Sequence, residues 1–292
     1  MATLRQIRNR IRGVRKTQKI TRAMKVVAAT RLGRAQKRLF ASRPWVDRIK
    51  ELLTNVMEVA EDVVIQDTPL LRKEEKGPIN SVLIVITSDR GLCGAFNSNT
   101  NRFALDFIKG KAQGEVKLVV VGLKGKRYFE GLGLNIILQY PLVGTLGLDE
   151  IAKEIATNVI ELFIAEEIDQ AYILYNEFRT FLAGKISLEK VLPIEPPRKR
   201  AIGKIDYLYE PNFKEVIESL IASTFKGVVY RALLESQTTE EAARMMAMDY
   251  ATENAEEIIA DLTLSYHRKR QEAITREMIE IVSGAEALKG AV

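Results

Sequence analysis

From Val228 to Ser283 the chain contains neither glycine nor proline, and no other stretch constrains its fold so strongly. An uninterrupted run of that kind predicts one long helix. Pro211-Asn212 announces it, with Asn212 as N-cap and Glu215 three residues on, and Gly284 is placed to end it. Ala251, Ala255, Ile258 and Leu262 follow helical spacing, as do Ile274, Met278, Ile281 and Ala285. The two sets are out of frame across Ser265 to Gln271, so the apolar seam is expected to rotate there.

The other end repeats the pattern. Thr3 and Gln6 read as a capping box, and Leu4, Ile7, Ile11 and Val14 then recur at heptad spacing. The same frame continues through Ala28, Leu32, Ala35, Leu39, Val46, Ile49, Leu53 and Val56, with Gln18, Thr21, Lys25 and Ser42 as polar interruptions. Pro44 is expected to kink or divide this helix near residue 43, and Gly13 and Gly33 to weaken it mildly. At about 1.5 Å per residue, a helix from Thr3 to Val59 is on the order of 80 Å long, too long for a small domain to wrap.

Between these ends, Lys76 to Pro197 carries most of the glycines and prolines and alternates short apolar runs with amphipathic stretches. Strands are predicted at Ser81 to Thr87, Val116 to Val121, Leu134 to Tyr140, Gln170 to Tyr175 and Leu188 to Ile194, with helices near Asn99 to Lys109, Leu123 to Glu130 and Leu148 to Glu166. A further short strand is expected at Asp206 to Tyr209. Continuous runs such as Val82-Leu83-Ile84-Val85-Ile86 suit strands covered on both faces, so a compact, mostly parallel α/β domain is expected. The chain thus divides into a helix at 1–60, an α/β domain at 76–197 and a helix at 211–292. The economical arrangement pairs the two terminal helices antiparallel as a coiled coil, one stalk projecting from the domain. Their unequal lengths leave an overhang carrying Ile274, Met278, Ile279, Ile281 and Val282, too apolar to stand alone in water and suited to an apolar socket in another protein.

Net charge is +6, but it is unevenly spread. Met1 to Lys50 holds 16 of the 44 Lys and Arg and only Asp47 of the 38 acids, leaving 28 bases against 37 acids elsewhere. Nucleic acid, anionic lipid and an acidic protein surface all fit such an arm. A basic coiled-coil nucleic-acid binder is the competing reading, although Arg5, Arg8, Arg12, Arg15 and Lys19 flank a helix already committed to pairing. No apolar run is long enough for a membrane-spanning helix, and the N-terminus has no apolar signal core.

Signatures of chemistry are missing. No phosphate loop, dinucleotide fingerprint or nucleophile elbow occurs, and Gly122-Leu123-Lys124-Gly125-Lys126 has the spacing of an ordinary strand-to-helix turn. A sole histidine, His267, cannot build a metal site by itself, and Glu166-Glu167 and Glu256-Glu257 read as solvated helix faces. The single cysteine, Cys93, excludes an internal disulfide and reads as a small buried residue. No catalytic, cofactor-binding or metal-binding residue is expected.

Three segments resemble the gamma, central-stalk subunits of F-type ATP synthases. They are Arg15-Lys16-Thr17-Gln18-Lys19-Ile20-Thr21-Arg22-Ala23-Met24-Lys25-Val26-Val27-Ala28-Ala29, then Thr87-Ser88-Asp89-Arg90-Gly91-Leu92-Cys93-Gly94-Ala95-Phe96-Asn97, then Ala242-Ala243-Arg244-Met245-Met246-Ala247-Met248 continuing to Ile274-Thr275-Arg276-Glu277-Met278-Ile279-Glu280-Ile281-Val282-Ser283-Gly284-Ala285. The resemblance implies a Rossmann-like α/β domain between paired terminal helices that turn inside a ring of three alpha and three beta subunits. It further implies contacts to an epsilon subunit and a ring of c subunits, with nucleotide chemistry on the beta subunits. By the same resemblance Met24 and Lys25 face an acidic beta loop, and Arg270 and Gln271 catch another near the top. Plain coiled-coil filling stays open for Met24, and solvated helix surface for Arg270 and Gln271. Ile274, Met278, Ile281 and Val282 would turn in the apolar sleeve. With Cys93 alone, the paired regulatory cysteines of chloroplast members are lacking, which favours a bacterial protein at the cytoplasmic face of the membrane.

Overall fold

The computed structural model describes residues 3–59, 69–71, 79–110, 114–142, 147–180, 184–194, 209–210 and 212–289. Element order is α1 (Leu4–Val59), a 3-10 turn (Pro69–Leu71), β1 (Ser81–Ile86), α2 (Phe96–Gly110), β2 (Val116–Val121), α3 (Leu123–Glu130), β3 (Ile136–Tyr140), α4 (Leu148–Ile164), β4 (Gln170–Phe178), β5 (Gly184–Leu192) and α5 (Phe213–Lys289). Most of the short strand expected at Asp206 to Tyr209 lies outside the described residues. Two compact units result, one from the outer ends of α1 (to Val27) and α5 (from Met245), the other from Ala28–Arg244.

Both helix starts are built as the sequence predicts. The Thr3 backbone N–H donates to Gln6 Oε1 at 2.8 Å and the Gln6 N–H to Thr3 Oγ1 at 3.3 Å. At α5 the Glu215 N–H donates to Asn212 Oδ1 at 2.9 Å. Asn212→Ala should therefore lower thermal stability by about 1 kcal/mol, with Asn212→Ser near parental, as read by calorimetry.

Division at Pro44 and an end at Gly284 do not occur. α1 runs undivided through Pro44, which sits on its exposed face while Leu39 and Val46 on the opposite face are fully buried. Packing of that seam outweighs the roughly 3 kcal/mol that an interior proline costs. Gly284 likewise does not end α5, which continues to Lys289, because glycine inside a helix costs only about 1 kcal/mol.

In the Ala28–Arg244 unit the sheet order is β3-β2-β1-β4-β5, all parallel except β5, which runs antiparallel to β4. Every residue of β1 is buried, as its unbroken apolar run requires. One face, with Leu83, Val85, Leu118, Val120 and Leu174, packs on Ala104 of α2 and Phe129 of α3. The other face packs on Ile151, Ile155, Val159 and Phe163 of α4, on Leu53 and Val56 of α1, and on Ile221, Phe225 and Val229 of α5. The strand predicted at Leu188 to Ile194 starts earlier, at Gly184. Its first half is drawn into the ladder by pairing with the end of β4, Phe178 opposite Gly184.

Candidate partner-binding site

In the outer unit Ile7, Thr21, Met248, Thr252 and Ala255 are buried along the seam between α1 and α5. Three polar rungs cross it. Arg8 Nη2 donates to Tyr266 Oη at 2.7 Å and its guanidinium lies 5.6 Å from the centre of that ring. The hydroxyls of Thr21 and Thr252 meet at 2.8 Å, and Lys25 Nζ donates to Asp249 Oδ1 at 2.5 Å. As the α1 number rises the α5 number falls, so the pair is antiparallel. Thr21 and Lys25, polar interruptions of an apolar frame, are each satisfied by a polar residue opposite.

Partner numbers sum to about 274 (8 with 266, 25 with 249), so Thr3, the first described residue, stands opposite residues near 271. On α5 the inward positions are Thr252, Ala255, Ile259, Leu262, Tyr266, Lys269 and Ala273, buried or half-buried. Ile258, expected on the seam, is instead 45% exposed: the buried Thr252 and Ala255 set the inward stripe, and Ile259 continues it. Nor does the seam rotate across Ser265 to Gln271. It keeps its frame to Ala273 and then ends. From Ile274 to Ala285 every residue is exposed, Met278 at 61% and Ile281 at 71%, with Ile279 and Val282 beside them. Arg270 and Gln271 are exposed, while Met24 and Lys25 are half-buried. Arg5, Arg8, Arg12, Arg15 and Lys19 are all exposed beside the seam.

Within the Ala28–Arg244 unit the segment from Thr87 to Asn97 folds as a self-bonded loop. Leu92 takes a left-handed backbone (φ 65°) that aliphatic residues seldom adopt, and its side chain is exposed. Ser88 is held from both sides: its N–H donates to Asn97 Oδ1 at 3.0 Å and its hydroxyl to the Arg90 carbonyl at 2.6 Å. Cys93 is buried beside them, and burial pushes its thiol up from the ordinary range, so it stays protonated and unreactive.

The same loop closes the start of α3. Asp89 Oδ1 accepts from the Leu123 N–H (2.9 Å), the Ser88 carbonyl from the Lys124 N–H (3.0 Å) and Thr87 Oγ1 from the Gly125 N–H (2.9 Å). Gly122 has φ 96°, and a Cβ there would collide with the Thr87 carbonyl. The amides that could have cradled a phosphate are thus already occupied, and Gly122-Leu123-Lys124-Gly125-Lys126 is a strand-to-helix turn.

Beside this loop lies a cleft of about 400 Å³ whose walls include Arg31, Arg34 and Arg38 of α1, Arg90, and Glu240, Glu241 and Arg244 of α5. Arg244 is buried and bonds Glu240 Oε1, while its Nη1 lies 3.0 Å from Glu241 Oε2. Its Nε donates to the Gly91 carbonyl at 3.5 Å. Burial outweighs Arg244 and pushes the Glu240 carboxyl up to about 7, with Glu241 and Asp89 adding to the rise. Sequence reading did not single out this basic row, although the spacing of Arg31, Arg34 and Arg38 already puts them on one helix face. His267 is exposed, as are Glu166, Glu167, Glu256 and Glu257. Among the described residues no cluster of His, Cys, Asp and Glu could hold a metal ion, and no helix is long and apolar enough to cross a membrane.

In open α/β sheets a ligand ordinarily binds at the carboxyl ends of the strands, where the strand order reverses, here between β1 and β4. In this chain that position is filled by α5: Ser236 and Thr239 bond the backbone of Asn176 at the end of β4. The features define a class of protein, one whose terminal helices pair with each other and whose intervening α/β domain has its usual ligand crevice plugged by its own chain. Residues 3–288 match the family model described as ATP synthase. The ATP synthase gamma chain of Chlorobium phaeobacteroides (strain DSM 266 / SMG 266 / 2430) is 42% identical over 296 residues, covering 99% of this chain and 100% of that relative. That of Chloroherpeton thalassium is 40% identical over 307 residues, covering 99% of each. This chain belongs to the ATP synthase gamma chain family.

Solved structures agree in fold. A chain of the Euglena gracilis mitochondrial ATP synthase (OSCP/F1/c-ring, rotational state 3) gives a TM-score of 0.66 at 18% identity, over 98% of this chain and 94% of that one. A chain of the Tetrahymena thermophila mitochondrial ATP synthase central stalk and c-ring gives 0.62 at 24% identity, over 80% of this chain and 99% of that one. The basic arm belongs to this fold, and the nucleic-acid reading finds no support among the relatives.

Proposed function

We propose that the chain is the rotating central shaft of an F-type ATP synthase, coupling proton translocation in the membrane sector to ATP synthesis and hydrolysis on a ring of three alpha and three beta subunits. The observation that carries this reading is the end of α5: an apolar helix segment, roughly half exposed or more, that runs past the first turn of α1 and needs an external sleeve. In this reading Ile274, Met278, Ile281 and Val282 turn in that sleeve. Non-directional apolar contact tolerates sliding where a fixed hydrogen-bond set would not. Arg270 and Gln271 engage a beta loop near the top, and Met24 and Lys25 an acidic beta loop lower down. Lys25 already has Asp249, so an acidic loop there meets a shared cation.

The chain itself is non-catalytic, and the plugged crevice between β1 and β4 supports that. Its functional divisions are 1–60, 76–197 and 211–292, with the α/β domain and an epsilon subunit seated on the c ring. It sits peripherally on the cytoplasmic face of a bacterial membrane, bound through partners. The test is co-expression of the tagged chain with alpha and beta subunits. Capture of both, with no ATP turnover by the isolated chain, is expected. Absence of both partners from the captured material, or stoichiometric turnover by the pure chain, would overturn the reading.

A further inference from the structure

β4 outruns its neighbour. The ladder with β1 ends at the pair Val85–Leu174, but β4 continues to Phe178. On the side β1 has vacated, α5 supplies the missing partner groups from side chains. Ser236 Oγ accepts the Asn176 N–H at 3.0 Å, Thr239 Oγ1 donates to the Asn176 carbonyl at 3.1 Å, and Glu235 Oε2 accepts the Phe178 N–H at 2.8 Å. These are the alternate residues whose amides a parallel neighbour would have bonded, so one face of a helix does the work of a strand. All three side chains are buried.

The attachment is reinforced from three sides. Glu235 Oε1 accepts from Arg43 Nη2 of α1 at 2.9 Å, so one carboxylate ties α5 to both β4 and α1. Asn176 Nδ2 donates to Thr100 Oγ1 of α2 at 2.8 Å. On β5, Gly184 leaves room for Thr239: a Cβ there would collide with Thr239 Cγ2. Apolar packing resists separation of a helix from a sheet but fixes its rotation weakly. Bonds from a helix to fixed backbone amides set the angle of the helix about its own axis.

From this we infer that Glu235, Ser236 and Thr239 are the torque joint of the chain, the positioning residues through which twist passes between the sheet and α5. The inference rests on the shaft reading above. The test uses the assembled complex in membrane vesicles and two paired substitutions. Ser236→Ala with Thr239→Val removes both hydroxyls at nearly constant volume, whereas Ser236→Thr with Thr239→Ser keeps them. Assembly, melting temperature and ATP hydrolysis without a gradient are measured first, then protons pumped per ATP as the opposing gradient builds.

The expected result is near-parental unloaded hydrolysis in both, with pumping against a gradient reduced several-fold in the apolar pair and restored in the hydroxyl-keeping pair. Parental pumping by the apolar pair under load would overturn the inference, as would equal defects in the two pairs. If the apolar pair does not assemble, Thr239→Val alone decides by the same criteria, since it removes one bond and keeps the volume. Failure of the unmodified chain to assemble with alpha and beta would sink the shaft reading instead, and is scored separately.

Discussion

Arg244→Ala is expected to cost the Ala28–Arg244 unit about 3–5 kcal/mol at pH 8, because it leaves Glu240 buried without its cation and Glu241 with only Arg31, 3.7 Å away. The sole tryptophan, Trp45, lies in the same unit, so its emission during urea unfolding reads the loss directly. The loss should shrink toward pH 5. Glu240 titrates near 7 in the folded protein against an ordinary 4.5, so its ionised form is the one folding disfavours. That penalty is absent below about 4.5, grows as pH rises through 7 and is constant above, reaching about 3 kcal/mol. Glu240→Gln removes it, so the variant should gain on the parent by about that amount between pH 4.5 and 8. An Arg244→Ala cost that stays level across this range would show that the charge cluster is not what the mutation disturbs.

Deleting residues 266–292 is expected to leave the melting of the Ala28–Arg244 unit within about 0.5 kcal/mol of parental, since the lost residues belong to the other compact unit. Coupling should suffer heavily. Ile274, Met278, Ile279, Ile281 and Val282 are each roughly half exposed or more. Buried in a sleeve, they would contribute on the order of 5 kcal/mol of contact at about 1 kcal/mol apiece. Removing them from a reconstituted complex should sharply weaken assembly with alpha and beta or abolish ATP-driven pumping. Parental pumping by the shortened chain would show that the tip is dispensable and that the sleeve is not its purpose.

How much of this was readable from the residues depends on the range of the forces involved. The α1 seam was legible almost position by position: Ala28, Leu32, Ala35, Leu39, Val46, Leu53 and Val56 are all buried, because heptad spacing is a local property of a helix. β1 and β2 were legible from their unbroken apolar runs. Pro44 does not divide α1 and Gly284 does not end α5, because their local cost is a few kcal/mol at most and the rest of the helix outvotes it. Ile258 misled because an apolar residue one position off the stripe looks the same in sequence as one on it. The joint at Glu235, Ser236 and Thr239 carried no signal at all. It exists only because β4 is longer than the strand beside it, a fact of register between distant segments. The pairing of Arg244 with Glu240 and Glu241 was equally silent, since a charged helix stretch reads as solvated until the loop from Asp89 to Gly94 is laid over it.

The rungs Arg8–Tyr266, Thr21–Thr252 and Lys25–Asp249 have a mechanical consequence. Two helices held by an apolar zipper alone can creep past each other by a heptad at little penalty, since one heptad looks much like the next. Polar pairs recur at no such period, so a slip leaves the buried hydroxyl of Thr21 or Thr252 facing hydrocarbon and separates Lys25 from Asp249. The outer pair is therefore keyed, and when the direction of drive reverses it should answer without backlash.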